Sequence, residues 1–284
     1  MSANVPAACV IGWPVEHSRS PLIHNYWLRK YGIAGEYRHE AVPPEDFAAF
    51  VRSLGERGYV GANVTVPHKD QALALSQPDE SAQAIGVANT LWLEDGVLRS
   101  TNTDAEGFLA NLDAAVPGWG QSLSRAVVLG AGGAAHAVIY GLLTRGADAI
   151  AVANRTTSRA ERLRQRFGAR VLVVPWPDRE IALAGAQLLV NTTTLGMSGQ
   201  GPLSLDLANL PDDAAVCDLI YAPLVTPLLR AARAKNLRTA DGLGMLLHQA
   251  VRGFALWFKR TPELTAELRV LIEADLGHVH GSQE

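Results

Sequence analysis

Length, composition and charge already exclude several classes of protein. The chain has 284 residues, is 48% hydrophobic and carries a formal net charge of −3, so it can bury one large core or two smaller ones. It has no lysine or arginine run that would neutralise a phosphate backbone, which argues against a nucleic-acid partner. Cys9 and Cys217 lie far apart without a C-x-x-C partner, so neither a disulfide framework nor a metal site is expected. Because there is no signal-like N-terminus and no apolar run of about 18 residues, we expect a cytoplasmic protein without a membrane segment.

The first hundred residues alternate strand-like and helix-like segments, which predicts a mostly parallel sheet covered by helices. A hairpin follows, because an Asp-Gly pair lies between two strand-like runs and suits left-handed turn positions. The predicted strands are Ala8–Gly12, Tyr37–Val42, Gly61–Val66, Asn89–Leu93 and Val97–Thr101, and the predicted helices are Pro21–Lys30 and Pro44–Arg57.

A second series of strand and helix signals begins after a helix predicted at Ala105–Ala115 and a loop rich in glycine and proline. Asp241–Gly244 is predicted to be a glycine-rich break, followed by helices at Met245–Lys259 and Pro262–Asp275. The other predicted strands are Ala126–Leu129, Ala149–Ala153, Val171–Val174, Leu188–Asn191 and Ala215–Ile220, with helices from the glycine loop to Arg145 and at Ser158–Phe167.

A glycine-rich loop opens this second series. Residues 130–135 read G-A-G-G-A-A and lie between an apolar strand and a helix, which is the context of a dinucleotide-binding loop. Gly130 would allow the tight turn and Gly132 the approach of a pyrophosphate to the backbone. We predict cofactor contacts from Gly130, Ala131, Gly132, Gly133 and Ala134.

The residues that follow the next strand indicate which dinucleotide is bound. NAD-binding proteins usually carry an acidic residue there, whereas this chain has Asn154, Arg155 and Thr156, with Arg159 one turn later. Arginines can bind a 2′-phosphate through charge-assisted hydrogen bonds. We therefore predict NADP(H), with the alternative that both arginines are only solvated charges at a helix start.

Several polar residues fall where strands or helices are predicted to end. Asn63 and Thr65 share one face of a strand, and Lys69 follows its end, where ligands bind in open α/β sheets. Lys69 could be a surface charge, and Asp104 could only cap a helix, but together they could work as an acid–base pair. Asn89 could likewise only support a turn.

The segment Gly12–Asn25 reads as the start of a helix. Ser20 is a favourable N-cap, and Pro21 suits the first helical position. His24 is predicted to be a buried, hydrogen-bonded support rather than a catalyst. Ser18 and Ser20 lie where an anion would meet free backbone N–H groups and the positive end of a helix.

Eight segments together resemble the shikimate dehydrogenase family, whose members interconvert 3-dehydroshikimate and shikimate with NADP(H). They occur in the family's order between residues 10 and 250 and read GWPVEHSRSPLIHN, NVTVPHK, ANTL, NTDAEG, VLGAGGAA, ANRT with Arg159, DLIYAP and DGLGMLLHQA. The resemblance implies two α/β domains with the active site in the cleft between them. Residues 1–103 plus 242–284 would form the discontinuous substrate domain, and residues 104–241 the Rossmann-like NADP domain.

The resemblance also assigns roles to individual residues. Lys69 and Asp104 would form the catalytic pair at the reacting carbon, and Ser18 and Ser20 would bind the substrate carboxylate. Other substrate contacts would come from Asn63, Thr65, Asn89, Tyr221 and Gln249, and Gly242 would add a cofactor contact.

Three related functions stay open at this point. A quinate or an aminoshikimate dehydrogenase would use a similar site, although Thr156 in place of an acidic residue favours the NADP-linked shikimate enzyme. A ligand-sensing relative without catalysis could lose the proton-transfer pair, whereas Lys69 and Asp104 are both present. A monomer or a homodimer is expected.

Overall fold

The computed structural model describes residues 5–121 and 123–281, with side chains as far as residue 277. Its contacts divide the chain into two compact units. The first unit comprises the described residues up to Asp104 together with those from Gln249 onward, and the second runs from Ala105 to His248. The functional division at residues 103 and 242 that the sequence suggests stays a prediction.

The first unit is built on a six-stranded sheet in the order β2-β1-β3-β5-β6-β4. The three strands β1, β2 and β3 are parallel, and β5 and β6 form the antiparallel hairpin that the Asp-Gly pair predicts. Asp95 and Gly96 both have positive φ in its turn. The strands are β1 Ala7–Gly12, β2 Glu36–Ala41, β3 Tyr59–Val64, β4 Gln77–Pro78, β5 Thr90–Glu94 and β6 Val97–Thr101.

Within the described residues, six helices accompany this sheet in the chain, four before β5 and two at the C-terminal end. Apolar residues of the second, third and fourth of these helices join side chains from β1, β3 and β5 in a continuous core that includes Ile11, Phe47 and Leu91. Burial of such side chains stabilises a fold by about 1.5–3 kcal/mol each. The helices are α1 Ser20–Lys30, α2 Phe47–Arg52, α3 Lys69–Ala74, α4 Glu80–Ile85, α9 Gly242–Phe258 and α10 Ala266–Gly281, with α9 beginning in the second unit.

The second unit is built on a six-stranded, fully parallel sheet in the order β12-β11-β10-β7-β8-β9. Read from the other edge this is the 3-2-1-4-5-6 order of doubly wound α/β folds, and the order reverses between β7 and β10. Its elements are α5 Asp104–Ala115, β7 Arg125–Leu129, α6 Gly133–Thr144, β8 Ala149–Asn154, α7 Thr157–Phe167, β9 Val171–Pro175, β10 Leu188–Asn191, β11 Ala215–Asp218, α8 Pro227–Ala234 and β12 Arg238–Ala240, with the first residue of α5 belonging to the first unit.

Most of the predicted helices begin or end at other residues than predicted, and several of the differences have a local reason. Ser20 begins α1 rather than capping it, and Arg19 is the flanking residue. The helix predicted at Pro44–Arg57 begins only at Phe47, after a turn, and it ends at Arg52, where the Ser53 hydroxyl bonds back to the carbonyls of Ala49 and Phe50.

The two C-terminal helices also start elsewhere than predicted. The glycines at 242 and 244 are helical rather than a break, because Asp241 Oδ1 accepts the N–H groups of Leu243 and Gly244. The last helix begins at Ala266 instead of Pro262, because the Thr265 hydroxyl caps it by accepting the Leu268 N–H. Thr265 lies four residues after Thr261, the threonine before Pro262, and the sequence alone does not distinguish which of the two is the cap.

The part of the chain that the structure describes contains no helix both long and apolar enough to cross a membrane.

Candidate active site

The loop between β1 and α1 brings Ser18 and Ser20 together. The Ser18 hydroxyl donates to Ser20 Oγ over 3.2 Å and accepts the Ser20 backbone N–H over 3.3 Å. Nε2 of His39, on β2, donates to the Ser18 carbonyl over 2.9 Å. The two hydroxyls thus lie side by side at the N-terminus of α1, where the helix dipole favours an anion.

Arg19, between these two serines, stabilises the loop itself. Its Nη1 donates to the carbonyl of His17 over 2.9 Å, and its Nε lies 2.5 Å from Oδ2 of Asp275 on α10. Arg19 is therefore already paired with a carboxylate of the same unit. An anion bound at the serines would rely on their hydroxyls and the helix N-terminus.

Lys69 and Asp104 form an ion pair within the first unit. Lys69 Nζ contacts Asp104 Oδ2, and the two side chains are 13% and 9% exposed. Asn89 Nδ2 donates to the other carboxylate oxygen over 2.9 Å, and Asn102 Oδ1 accepts the Asp104 N–H. The carboxylate of Asp104 thus bonds two side chains, which favours the acid–base interpretation over a simple helix cap.

Asn63 lies on β3 beside this pair. Its Nδ2 donates to the Asn89 carbonyl over 3.3 Å and to Thr90 Oγ1 over 3.2 Å, and both neighbours are buried. Thr65 follows the strand's end and is partly exposed. Asn63 and Thr65, which alternate along this segment, therefore lie at the same end of the strands as Asn89.

Gln249 lies on α9 and closes the cluster from the C-terminal part of the unit. Its Oε1 accepts from Thr103 Oγ1 over 3.3 Å, and Thr103 in turn accepts from Asn89 Nδ2 over 3.0 Å. The side chains of Asn63, Lys69, Asn89, Asp104 and Gln249, which are far apart in sequence, thus form one hydrogen-bonded cluster.

The glycine loop of the second unit lies between β7 and α6 and fits a dinucleotide. Gly130 has a φ of 105°, and a Cβ there would lie 2.6 Å from Thr192 Oγ1 in the loop after β10. A Cβ at Gly132, the residue flanking α6, would meet nothing within 4 Å, so the backbone is open to a ligand. The loop lies at the strand-order reversal, where ligands bind in this class of fold.

The end of β8 presents the residues expected to bind the 2′-phosphate. Arg155, Thr156 and Arg159 are exposed, and Asn154 Nδ2 donates to the Thr156 carbonyl over 2.8 Å. The bond shapes the turn that carries both arginines. Two exposed guanidinium groups fit NADP(H) better than NAD(H), whose ribose hydroxyls need a carboxylate.

A buried carboxylate, absent from the predicted site, ties together two loops of the second unit. Asp218 at the end of β11 accepts from Asn191 Nδ2 over 3.0 Å, from the Ile220 N–H over 3.2 Å and from Thr226 Oγ1 over 2.7 Å. Burial raises its pKa to about 6, although these hydrogen bonds oppose the shift. Asp218 therefore fixes the loop that contains Tyr221. In the same loop, the Ile220 carbonyl accepts the Gly242 N–H over 3.2 Å.

His24 is buried as predicted, but it lacks, within the described part of the chain, the hydrogen bonds that the prediction gave it. Its ring stacks on Tyr37 with centroids 4.2 Å apart, and neither ring nitrogen has a well-formed hydrogen bond among the described residues. Burial lowers its pKa to about 3, an effect that the Asn63 side chain partly opposes. His24 is thus a neutral aromatic spacer. A single histidine in a helical segment gives no sequence signal of this environment.

The fold and the glycine loop place the chain in the class of doubly wound α/β proteins with a dinucleotide-binding unit, here combined with a second α/β unit that carries a Lys–Asp pair. Three sequence profiles match it in order. The shikimate dehydrogenase substrate binding domain matches residues 10–91, shikimate / quinate 5-dehydrogenase matches residues 118–196, and the shikimate 5′-dehydrogenase C-terminal domain matches residues 242–266.

Whole-chain relatives agree with these profiles. Shikimate dehydrogenase (NADP(+)) of Rhodopseudomonas palustris strain TIE-1 is 63% identical over 97% of this chain and 99% of its own length. A shikimate 5-dehydrogenase of Thermus thermophilus, solved with NADP(H) and shikimate, is 37% identical, with a TM-score of 0.81 over 90% of this chain and 95% of that one. Quinate dehydrogenase of Corynebacterium glutamicum, solved with NAD, is 30% identical with a TM-score of 0.86 over 94% and 99% of the two chains. The chain belongs to the shikimate dehydrogenase family.

Proposed function

We propose that this chain catalyses the reversible, NADPH-dependent reduction of 3-dehydroshikimate to shikimate, with Lys69 and Asp104 as its proton-transfer pair. The single observation that carries the proposal is the contact between Lys69 Nζ and Asp104 Oδ2, inside a cluster of buried polar side chains. The chain is an NADP-dependent oxidoreductase by its relatives, several of which carry the name shikimate dehydrogenase (NADP(+)).

The reaction needs a proton at the oxygen that becomes a hydroxyl. NADPH, when bound, supplies the hydride that reduces the ketone. Lys69, as an ammonium, stabilises the negative charge that develops on the ketone oxygen and then donates its proton to it. In the oxidative direction the neutral amine takes this proton back.

Asp104 keeps the lysine in place and hydrogen-bonds the same substrate hydroxyl. Asn89 donates to Oδ1 of Asp104, so the carboxylate can rotate only slightly. A preoriented carboxylate avoids part of the entropy that a free side chain loses on binding.

The remaining polar residues account for the recognition of shikimate. Ser18 and Ser20 would bind the carboxylate, because their hydroxyls adjoin the N-terminus of α1. The ring hydroxyls would be held by the side chains of Asn63, Thr65, Asn89 and Gln249, and Tyr221 would add a substrate contact. The cofactor would be held by Gly130, Ala131, Gly132, Gly133, Ala134, Asn154, Arg155, Thr156, Arg159 and Gly242.

We further propose that the enzyme works in the cytoplasm as a monomer or homodimer, with shikimate and 3-dehydroshikimate as its small-molecule partners and no nucleic-acid partner. Its net charge of −3 and its two buried, unpaired cysteines support this setting.

Quinate oxidation is the second candidate, because the quinate dehydrogenase of Corynebacterium glutamicum has a similar fold. Initial rates with shikimate and quinate, each with NADP and with NAD, distinguish the two. We expect the highest kcat/KM for shikimate with NADP. A faster reaction of quinate with NAD would assign the chain to the other activity, and no turnover in any of the four combinations would favour a sensing role.

A further inference from the structure

Tyr37 is a buried polar side chain on β2 that the expected site does not include. Its hydroxyl donates to Asn63 Oδ1 over 2.6 Å, and both residues are at most 5% exposed. Asn63 is one of the residues expected to hold the ring hydroxyls of shikimate. The contact therefore links a residue outside the expected site to one inside it.

The register of the sheet explains how this phenol reaches a strand that is not its neighbour. Tyr37 pairs with Ala8 on β1, and Ala8 pairs with Gly61 on β3. Residues that pair in register share a face, as do residues two apart in a strand, so Asn63 lies on the face of Tyr37. Because Ala8 has only a methyl side chain, the phenol can cross β1 to reach Asn63.

Helix α1 holds Tyr37 in this position from two sides. Asn25 bonds both backbone groups of Tyr37, donating from Nδ2 to its carbonyl over 2.9 Å and accepting its N–H at Oδ1 over 3.0 Å. The ring of His24 stacks against the phenol at an interplanar angle of 8°. The helix that starts at Ser20 thus also positions the side chain that contacts Asn63.

The phenol determines how the Asn63 amide is oriented. Burial raises the pKa of Tyr37 well above its usual range, so the hydroxyl stays a donor; the Ser20 side chain and Asn63 partly oppose the shift. A donor at this place selects the amide oxygen of Asn63 as its partner. The amide nitrogen is then directed towards Asn89 and Thr90.

We propose that Tyr37 is a positioning residue for shikimate: it orients the Asn63 amide so that its N–H groups hold the Asn89 carbonyl and Thr90, and it thereby fixes Asn89, which the proposed function places at a ring hydroxyl. The inference rests on the proposed function, since it concerns the same substrate. Without the phenol, the buried amide oxygen of Asn63 loses its donor, so the amide shifts and its bonds to the Asn89 carbonyl and Thr90 Oγ1 weaken.

The test is a double-mutant cycle on the full-length enzyme with Tyr37→Phe and Asn63→Ala. We expect Tyr37→Phe to raise the KM for shikimate about tenfold, the effect of one lost hydrogen bond, with kcat and the KM for NADP changed less than about twofold. In the Asn63→Ala background the same substitution should change the KM for shikimate less than about twofold, because no amide is left to orient.

Tyr59→Phe is the matched control, since Tyr59 lies on the same sheet and its hydroxyl contacts Glu40 instead. It should leave the KM for shikimate unchanged. Should Tyr37→Phe fail to fold, Asn25→Ala replaces it: it removes the two bonds to the Tyr37 backbone and should raise the same KM with that for NADP unchanged.

Three results would overturn the inference: a KM for shikimate within twofold of wild type in Tyr37→Phe, an equal rise with and without Asn63, or no effect of Asn63→Ala itself. In each case a wild-type enzyme that oxidises shikimate leaves the proposed function intact. If wild type does not turn over shikimate, the proposed function fails. Calorimetric titration of shikimate into wild type and Tyr37→Phe then still decides whether Tyr37 affects its binding.

Discussion

His24 provides a prediction whose size follows directly from its burial. Burial lowers the pKa of His24 to about 3 from an ordinary value of 6.5. Between these two pH values the unfolded chain binds a proton at this residue that the folded chain does not bind. Protonation therefore favours unfolding, and stability falls as the pH falls below about 6.5.

The loss can be worked out from the two pKa values. Proton linkage gives about 2 kcal/mol lost between pH 8 and pH 5 through this residue alone. His24→Phe removes the titrating group while keeping an aromatic ring to stack on Tyr37. As the pH falls from 8 to 5, the free energy of unfolding of the variant should therefore rise by about 2 kcal/mol relative to that of wild type.

Urea unfolding at pH 8, 7, 6 and 5, followed by tryptophan fluorescence, measures this difference. Burial also lowers the pKa of His68 and of His248, but both residues are present in the two proteins, so their contributions cancel. Trp27→Phe, in the same aromatic cluster, is a control that should destabilise equally at every pH. Identical pH dependence of wild type and His24→Phe would refute the argument that His24 is buried as a neutral ring.

Two further substitutions test the expected ligand contacts. Ser18→Ala should raise the KM for shikimate, because it removes one hydroxyl from the carboxylate site. The thermal unfolding temperature should drop only slightly, since Ser18 Oγ also accepts the Ser20 N–H. A large drop in this temperature with an unchanged KM would show that Ser18 has a structural role only. Arg155→Ala should raise the KM for NADP far more than that for NAD, as measured by initial rates, because it removes a charge-assisted bond to the 2′-phosphate; equal effects on both cofactors would contradict this role.

The local elements of the fold were largely predictable. Strands Val97–Thr101 and Leu188–Asn191 are confirmed at both ends, because an Asp-Gly turn or polar residues lie directly before and after them. The hairpin turn at Asp95 and Gly96 is confirmed because few residue pairs tolerate two positive φ values. Helix starts were less predictable, since Asp241 and Thr265 cap helices whose starts the glycine and proline signals predict elsewhere.

The contacts within the site were only partly predictable. Spacing places Lys69 at a strand end, but its pairing with Asp104 joins two distant segments and depends on the register of the sheet. The roles of Tyr37 and Asp218 had no sequence signal, because a tyrosine in a strand or an aspartate after one is common. Their importance comes from what lies opposite them in the folded chain, Asn63 for the first and Asn191 and Thr226 for the second.

The central claim is that Lys69 transfers the proton, and Lys69→Ala tests it most directly. The measurement is kcat for shikimate oxidation with NADP, together with the calorimetric affinity for shikimate, in Lys69→Ala and in the control Lys30→Ala, whose lysine lies near Glu267 on α10. We predict that kcat falls by about 10²–10⁴ in Lys69→Ala, with a much smaller change in affinity, while Lys30→Ala behaves as wild type. A kcat within tenfold of wild type in Lys69→Ala would contradict the mechanism.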